Sequence, residues 1–318
     1  MITSLEKYFQ KFRNNIVGIG QKFESPFGEQ EIIYADWTAS GRLYRPLEDK
    51  MLNSIGPFVA NTHTETSTTG SVMTHAYHIA KDKIKGHVGA NKDDVLIVTG
   101  SGMTGAVNKF QRILGLKISE SLKEHAEIPE ELRPVVFISH MEHHSNQTSW
   151  LETIAKVEVI PCNEEGLICL KNFELLLNKY DDTPLKIASV TACSNVTGIK
   201  TDYHGVAKLV HQYNGLCFVD FACSAPYVDI DMHPQDESSY LDAIFFSPHK
   251  FLGGPGSSGV LLFNKKLYKN LVPDNPGGVQ FYTRIHGETM IILMILKLGK
   301  MVELPGFYKL LELHYPFS

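Results

Sequence analysis

No pair of cysteines in this chain is spaced Cys-x-x-Cys, and the thiols at Cys162, Cys169, Cys193, Cys217 and Cys223 are odd in number. That argues against a disulfide framework and for a reducing compartment. No apolar run approaches the ~20 residues that a membrane span needs. The first residues place Lys7, Lys11 and Arg13 among polar neighbours with no continuous apolar core, so they lack the form of a secretory signal. Neither sign of charge dominates: the net charge of −5 gives no electrostatic case for nucleic acid or an anionic membrane as partner. There is no internal repeat and no low-complexity segment. What is present is ordinary for a soluble globular protein, with 43% apolar and 20% charged residues among 318. The expectation is a cytoplasmic protein of one large domain or two smaller ones.

Seven short apolar runs recur at a steady pace, at residues 95–98, 135–139, 157–160, 187–191, 216–220, 243–246 and 260–263. Most lack alternation, the mark of strands buried on both faces. Helical patterns fill three of the gaps, at 104–114, 170–179 and 203–213, and others are expected at 4–16 and 73–87. Strand and helix in alternation predict an α/β fold with a mostly parallel seven-stranded sheet between helices. The gap between Phe246 and Val260 is too short for a crossover helix, so the last strand is expected to run antiparallel to its predecessor.

Ligands of such sheets bind beyond the carboxyl ends of the strands. The polar groups that follow the runs are therefore expected to converge. Thr99-Gly100-Ser101-Gly102-Met103-Thr104 opens a helix, where free N–H groups and the helix dipole favour a phosphate; a plain strand-to-helix turn is the alternative. Asp220 closes a strand, either as a cap or ion-pair partner or as the acid beside a ring nitrogen. Lys250 lies between Pro248 and the cluster Gly253, Gly254, Pro255, Gly256, on an irregular turn next to a buried run. It is either a solvated loop lysine or a desolvated amine able to attack an aldehyde. Ser247 and His249 flank it and could donate to a phosphate. His140, His143 and His144 lie close enough in sequence to suggest zinc, but no spaced carboxylate or thiol completes four ligands, and no metal is expected. In an extended segment His143 and His144 would point opposite ways. A flat imidazole at His143 stacking on a ring fits better, as does a packed histidine. An amine, an acid, a flat ring and a helix N-terminus together are what pyridoxal 5'-phosphate requires.

With these groups in place the chain resembles the class V aminotransferase and cysteine desulfurase group of fold-type I pyridoxal-phosphate enzymes. The resemblance runs from about Tyr34 to Gly278 and rests on Ser247-Pro248-His249-Lys250 with its glycine tail, Val219-Asp220, Met141-Glu142-His143-His144-Ser145-Asn146 and Ser194-Asn195-Val196-Thr197-Gly198. It implies that Lys250 bonds covalently to the coenzyme aldehyde and later shuttles the substrate α-proton. It implies that Asp220 pairs with the ring nitrogen and that His143 stacks on the ring. Thr104, the backbone at Met103, Ser247 and His249 would hold the phosphate. Asn195 would lie near the ring hydroxyl and the substrate carboxylate. The implied substrate is an amino acid, the implied partner a second copy of the chain, and the implied activity that of a cysteine desulfurase or selenocysteine lyase.

The chain departs from the family in two places. Cys223 stands where members carry a glutamine against the ring oxygen, and a thiol is a poor donor. The resemblance then fades after Gly278, so the small C-terminal domain with its substrate arginine is expected to be largely missing. Residues 301–307, read with the last base of each codon joined to the first two of the next, can encode the family's Gly-Gly-Thr-Pro-Gly. A slip of the reading frame between about residues 278 and 287 is therefore expected; a divergent natural tail is the alternative. The apolar run at 290–296 would leave an exposed patch near the chain end. The expected division is 1–45, an N-terminal helix and site-lining segment; 46–280, the coenzyme-binding large domain; and 281–318, an aberrant tail. The alternative to an enzyme is a truncated, non-catalytic remnant that binds the coenzyme or a partner without turnover.

Overall fold

The computed structural model describes residues 4–275, apart from 63, 64, 124, 126, 127 and 272. The expected frame slip, the apolar run at 290–296 and the 281–318 tail lie outside the described residues. Two compact units divide the chain. The first holds the described residues of Met1–Lys83 together with Pro248–Ser257, the second Ile84–Ser247 and the described residues that follow Ser257.

The first unit contains α1 (Ser4–Arg13), the hairpin strands β1 (Lys22–Ser25) and β2 (Gly28–Glu31), α2 (Arg45–Lys50) and most of α3 (Thr68–His87). α1 stops three residues short of the expected 16, where the chain turns to pair Ile16 with Tyr44. α1, α2 and the hairpin bury none of their residues. Backbone bonds hold this unit instead, from Val17 N–H to Leu43 O (2.9 Å) and from Arg45 N–H to Asn15 O (2.9 Å). The Arg42 guanidinium adds a bond to Val17 O (3.0 Å) and lies 4.9 Å over the Tyr34 ring.

The second unit is built on β3 (Asp94–Thr99), α4 (Gly102–Ile113), the short α5 (Glu120–Lys123), β4 (Val135–Ile138), α6 (His144–Leu151), β5 (Lys156–Val159), α7 (Leu170–Lys179), β6 (Lys186–Thr191), α8 (Tyr203–Gln212), β7 (Leu216–Asp220), β8 (Ala243–Phe246) and β9 (Gly259–Asn264). The strands form one seven-stranded sheet in the order β3-β9-β8-β7-β6-β4-β5. The pairs from β8 to β5 are parallel, while β9 runs antiparallel to both β8 and β3. The antiparallel last strand follows from the short gap before it, as expected. β3 is therefore parallel to the other five, and six strands end along one edge.

Both faces of the sheet are covered, which is why the runs read as continuous apolar stretches. Val136 and Ile138 pack with Met103, Phe110 and Trp150 in one cluster, while Phe137, between them, meets Phe173 of α7 at 5.3 Å. The Phe110 ring lies 4.9 Å from Phe218 and 5.0 Å from Phe263, locking α4 onto β7 and β9. Each such buried ring stabilises the fold by about 2–3 kcal/mol. β5 is an exception: its residues are exposed or half-buried because it forms the sheet's edge, so the run at 157–160 is not buried on both faces. No described helix is long and apolar enough to cross a membrane.

One half-buried histidine gives this unit a pH dependence. His211 faces two acceptors, the Ser238 carbonyl oxygen from Nδ1 (2.8 Å) and the Asp242 carboxylate from Nε2 (2.9 Å), so both ring nitrogens need protons. Burial disfavours the charged ring, but the bonds to Asp242 and Ser238 outweigh it and raise its pKa. A raised folded pKa contributes stability that is fully present below the ordinary value of ~6.5 and is lost as pH climbs through the folded value. Urea midpoints measured from about pH 6 to 9 are expected to fall with pH in the wild type and to fall less in His211→Gln. Equal slopes would count against the charged pair.

Candidate active site

The carboxyl edge of the sheet presents, in spatial order, the turn after β3, the start of β9, Ser247 after β8, Asp220 at the end of β7, residues 191–195 after β6 and residues 139–143 after β4. Neighbouring strands lie about 4.8 Å apart, so these groups line one rim. At the β3 turn, α4 begins at Gly102 behind Ser101, whose side chain makes no capping bond. Ser101 and Thr104 are exposed. Such a helix start presents N–H groups and a positive dipole end to an anion. The Met103 amide donates to the buried Ser247 Oγ at 2.8 Å, joining two residues 144 positions apart in sequence. The Ser145 hydroxyl reaches Met103 Sδ at 3.8 Å, so the starts of α4 and α6 are side by side.

Gly259 makes this turn possible. A methyl group there would overlap the carbonyl oxygen of Gly102 and approach Thr99 O to 3.0 Å. Both are backbone atoms, which cannot swing aside. Gly259→Ala is expected to cost about 1–3 kcal/mol of stability by displacing the α4 start, read as a lower urea midpoint. An unchanged midpoint would show that the turn can relax.

His143 is exposed and caps α6: the Ser145 amide donates to its Nδ1 at 3.2 Å, with Ser145 Oγ at 2.8 Å. Nδ1 is thereby an acceptor, and the neutral ring carries its proton on Nε2. The expected extended segment at 143–144 is corrected here, since His144 is the first residue of a helix that the pattern reading missed. Asp220 is 3% exposed, and its Oδ1 accepts from the Ala222 amide at 2.8 Å. The half-buried Cys223 thiol donates to the Cys193 carbonyl at 3.0 Å. Asn195 is exposed on a turn held by Ser194, whose Oγ accepts from Val196 N (3.3 Å) and Thr197 N (3.2 Å).

In the first unit, Pro248–Lys250 forms a single tight helical turn, with Pro248 at its first position, where a missing N–H costs nothing. The irregular turn expected around Lys250 has this form. His249 and Lys250 are half-buried. Burial, and then the charge of Lys250, hold the His249 imidazole below its ordinary pKa. The stretch that begins at Tyr34 reaches this turn. Gly41 N–H donates to His249 O at 3.0 Å, and a side chain at Gly41 would overlap the Phe251 carbonyl. Among the described residues, no three His, Cys, Asp or Glu side chains gather as a metal site.

Residues 33–290 match the aminotransferase class-V family. The chain belongs to that family. Among curated relatives, a probable cysteine desulfurase of Halalkalibacterium halodurans is 27% identical over 251 residues, 78% of this chain and 57% of its own length. A cysteine desulfurase of Synechococcus elongatus is 30% identical over 69% of this chain and 32% of its own length. The chain thus spans between about a third and little more than half of these relatives. A NifS-like protein from Rickettsia africae superposes with a TM-score of 0.62 at 18% identity, covering 89% of this chain and 70% of that one. The cysteine desulfurase of Thermococcus onnurineus gives 0.61 at 20% identity, over 89% and 66%. These two likenesses show the fold of the class-V large domain.

Glu142, within the stretch Met141–Asn146, has no role that the sequence alone indicates. Its carboxylate accepts from the hydroxyl and the amide of Ser139, from Asn146 Nδ2 (2.6 Å) and from Thr191 N (2.8 Å).

Proposed function

We propose that the chain is a pyridoxal 5'-phosphate-dependent enzyme acting on an amino acid, of the cysteine desulfurase or selenocysteine lyase type. The observation that carries this reading is the bond from Met103 N–H to Ser247 Oγ at the start of α4, with Lys250 three residues further along the chain. That helix start suits a phosphate: Ser101 and Thr104 on either side of the buried Gly102 and Met103 are exposed, its cap is unfilled by a side chain, and Gly259 leaves room for the turn. The residues present therefore fit the coenzyme. Thr104, Ser247, His249 and the amide of Met103 hold the phosphate, the amide exchanging its present acceptor for it. Asp220, at the end of β7, would keep a proton on the ring nitrogen. His143 lies on the ring face. Asn195 serves the ring hydroxyl and the substrate carboxylate. Lys250 supplies the amine and then moves the substrate α-proton. When bound, the coenzyme supplies an aldehyde that takes up an amine and a ring that withdraws electrons from bonds at the substrate α-carbon. Cys223 has its thiol turned to a backbone carbonyl, so it gives the ring oxygen less than a glutamine would. The partner is a second copy of the chain and the compartment the cytoplasm, where cysteines such as these five stay reduced.

The second reading is coenzyme binding without turnover. Adding pyridoxal phosphate to the purified chain separates the outcomes. A visible absorbance band with release of sulfide from cysteine, or turnover of another amino acid, supports the enzyme. A band with no turnover on any amino acid supports the second reading. No band at all overturns both.

A further inference from the structure

Glu142 is half-buried, and its carboxylate has no cation bonded to it among the described residues, a costly arrangement unless its hydrogen bonds serve a purpose. The four donors that it accepts come from three elements: Ser139 after β4, Asn146 in the first turn of α6 and Thr191 at the end of β6. Asn146 is itself buried, and its Oδ1 accepts from Trp150 Nε1 (3.0 Å) and Ser189 Oγ (3.0 Å). Each of these bonds runs from donor to carboxylate, so both oxygens of Glu142 are committed as acceptors. The next residue in the chain is His143, and the bond from Ser145 N–H to His143 Nδ1 belongs to the same first turn of α6 that Asn146 anchors.

We propose that Glu142 is a positioning residue: it ties the first turn of α6 to the ends of β4 and β6 and so fixes the His143 ring in one orientation and one tautomer. A neutral glutamine would lie in the same volume with less desolvation, but its amide would face the Asn146 amide donor to donor. Only a carboxylate satisfies all four donors at once. Burial nevertheless raises its pKa to about 7, with the bonds from Ser139, Asn146 and Thr191 pulling it back down and the nearby Asp220 charge adding to the rise. The protein thus tolerates an acid that is hard to ionise in order to keep an acceptor at both ends. The link to coenzyme binding rests on the function proposed above; the link to the His143 ring does not.

The test uses the full chain labelled with 15N at histidine. In the wild type, His143 Nδ1 is expected to show the shift of an unprotonated acceptor. In Glu142→Gln that signal is expected to move toward a mixture of tautomers, and the dissociation constant for pyridoxal phosphate, read from the visible band, to rise about tenfold. Adding Asn146→Asp to that variant restores complementarity, since the amide introduced at position 142 then donates to a carboxylate, and is expected to recover both readouts. Should Glu142→Gln fail to fold, Glu142→Asp, which keeps the charge but shortens the reach, is read the same way. A variant that melts earlier yet keeps the wild-type His143 signal and affinity overturns the proposal and leaves Glu142 a fold-stabilising group. A wild type with no band, but with the nitrogen signal responding as stated, overturns the coenzyme reading alone.

Discussion

Lys250→Ala is expected to abolish the visible band that pyridoxal phosphate produces with the wild-type chain, while leaving weaker, non-covalent binding. The two effects separate because they belong to different residues. In the proposed site, phosphate affinity would come from the α4 start, Ser247 and Thr104, which the substitution does not touch. The covalent bond, in the same proposal, would come from the amine alone. Lys250 is half-buried on a tight turn, where the shortened side chain leaves backbone contacts such as Gly41 N–H to His249 O in place. Stability should therefore change little, within about 0.5 kcal/mol. Turnover should fall by several orders of magnitude if the lysine also moves the α-proton, since a proton-transfer group alone contributes roughly 10²–10⁴-fold. Reduction of the wild-type complex with borohydride, followed by peptide mass spectrometry, gives an independent reading. The coenzyme mass should sit on the peptide containing Lys250; its appearance on another lysine would refute the assignment.

Asp274→Ala is expected to destabilise the second unit by about 3–5 kcal/mol. Both carboxylate oxygens of Asp274 receive the Lys109 ammonium at 2.9 Å, and the side chains are only 5% and 2% exposed. Arg112 lies a little further off, with Nε 3.6 Å from one oxygen. Lys109 stands on α4 among Ala106, Val107 and Phe110, so removal of the carboxylate strands an ammonium in an apolar layer. The cost is mostly that stranded charge rather than the worth of the pair. The double variant Lys109→Met, Asp274→Leu should therefore recover most of the loss. Urea unfolding of the two variants distinguishes the explanations: a double variant no more stable than Asp274→Ala would mean that packing, not charge, is at stake. The consequence for function would be indirect, because the phosphate seat proposed on α4 lies at its other end.

The parts of this molecule that could be read in advance were those whose cause is local. β7 and β8 match the apolar runs residue for residue, and α7 matches its helical pattern, because each is an apolar stretch bounded by polar or turn-forming neighbours. α6 could not be read that way. Its buried residues are Asn146, Ser149 and Trp150, and a helix that buries an amide and a hydroxyl shows no apolar stripe. The hairpin of β1 and β2 escaped for the opposite reason: nearly all of its residues are exposed, so neither face carries an apolar signature. Glu142 escaped because an acid turned toward inward donors looks, in sequence, like a solvated one.

The sequence alone determined that strands alternate with helices, that the last strand reverses, and that the motifs sit at strand ends in a family order. Those features follow from side-chain periodicity, turn chemistry and gap length, all of which act within a dozen residues. The tertiary structure decided that β9 slots between β3 and β8, bringing Gly259 against Gly102, and that Ser247 meets the Met103 amide. It also decided that Ser139, Asn146 and Thr191 spend their donors on a single acid. Such pairings join residues far apart in the chain, and the energies that choose among them, close packing and the satisfaction of every buried polar group, exist only once the strands are side by side.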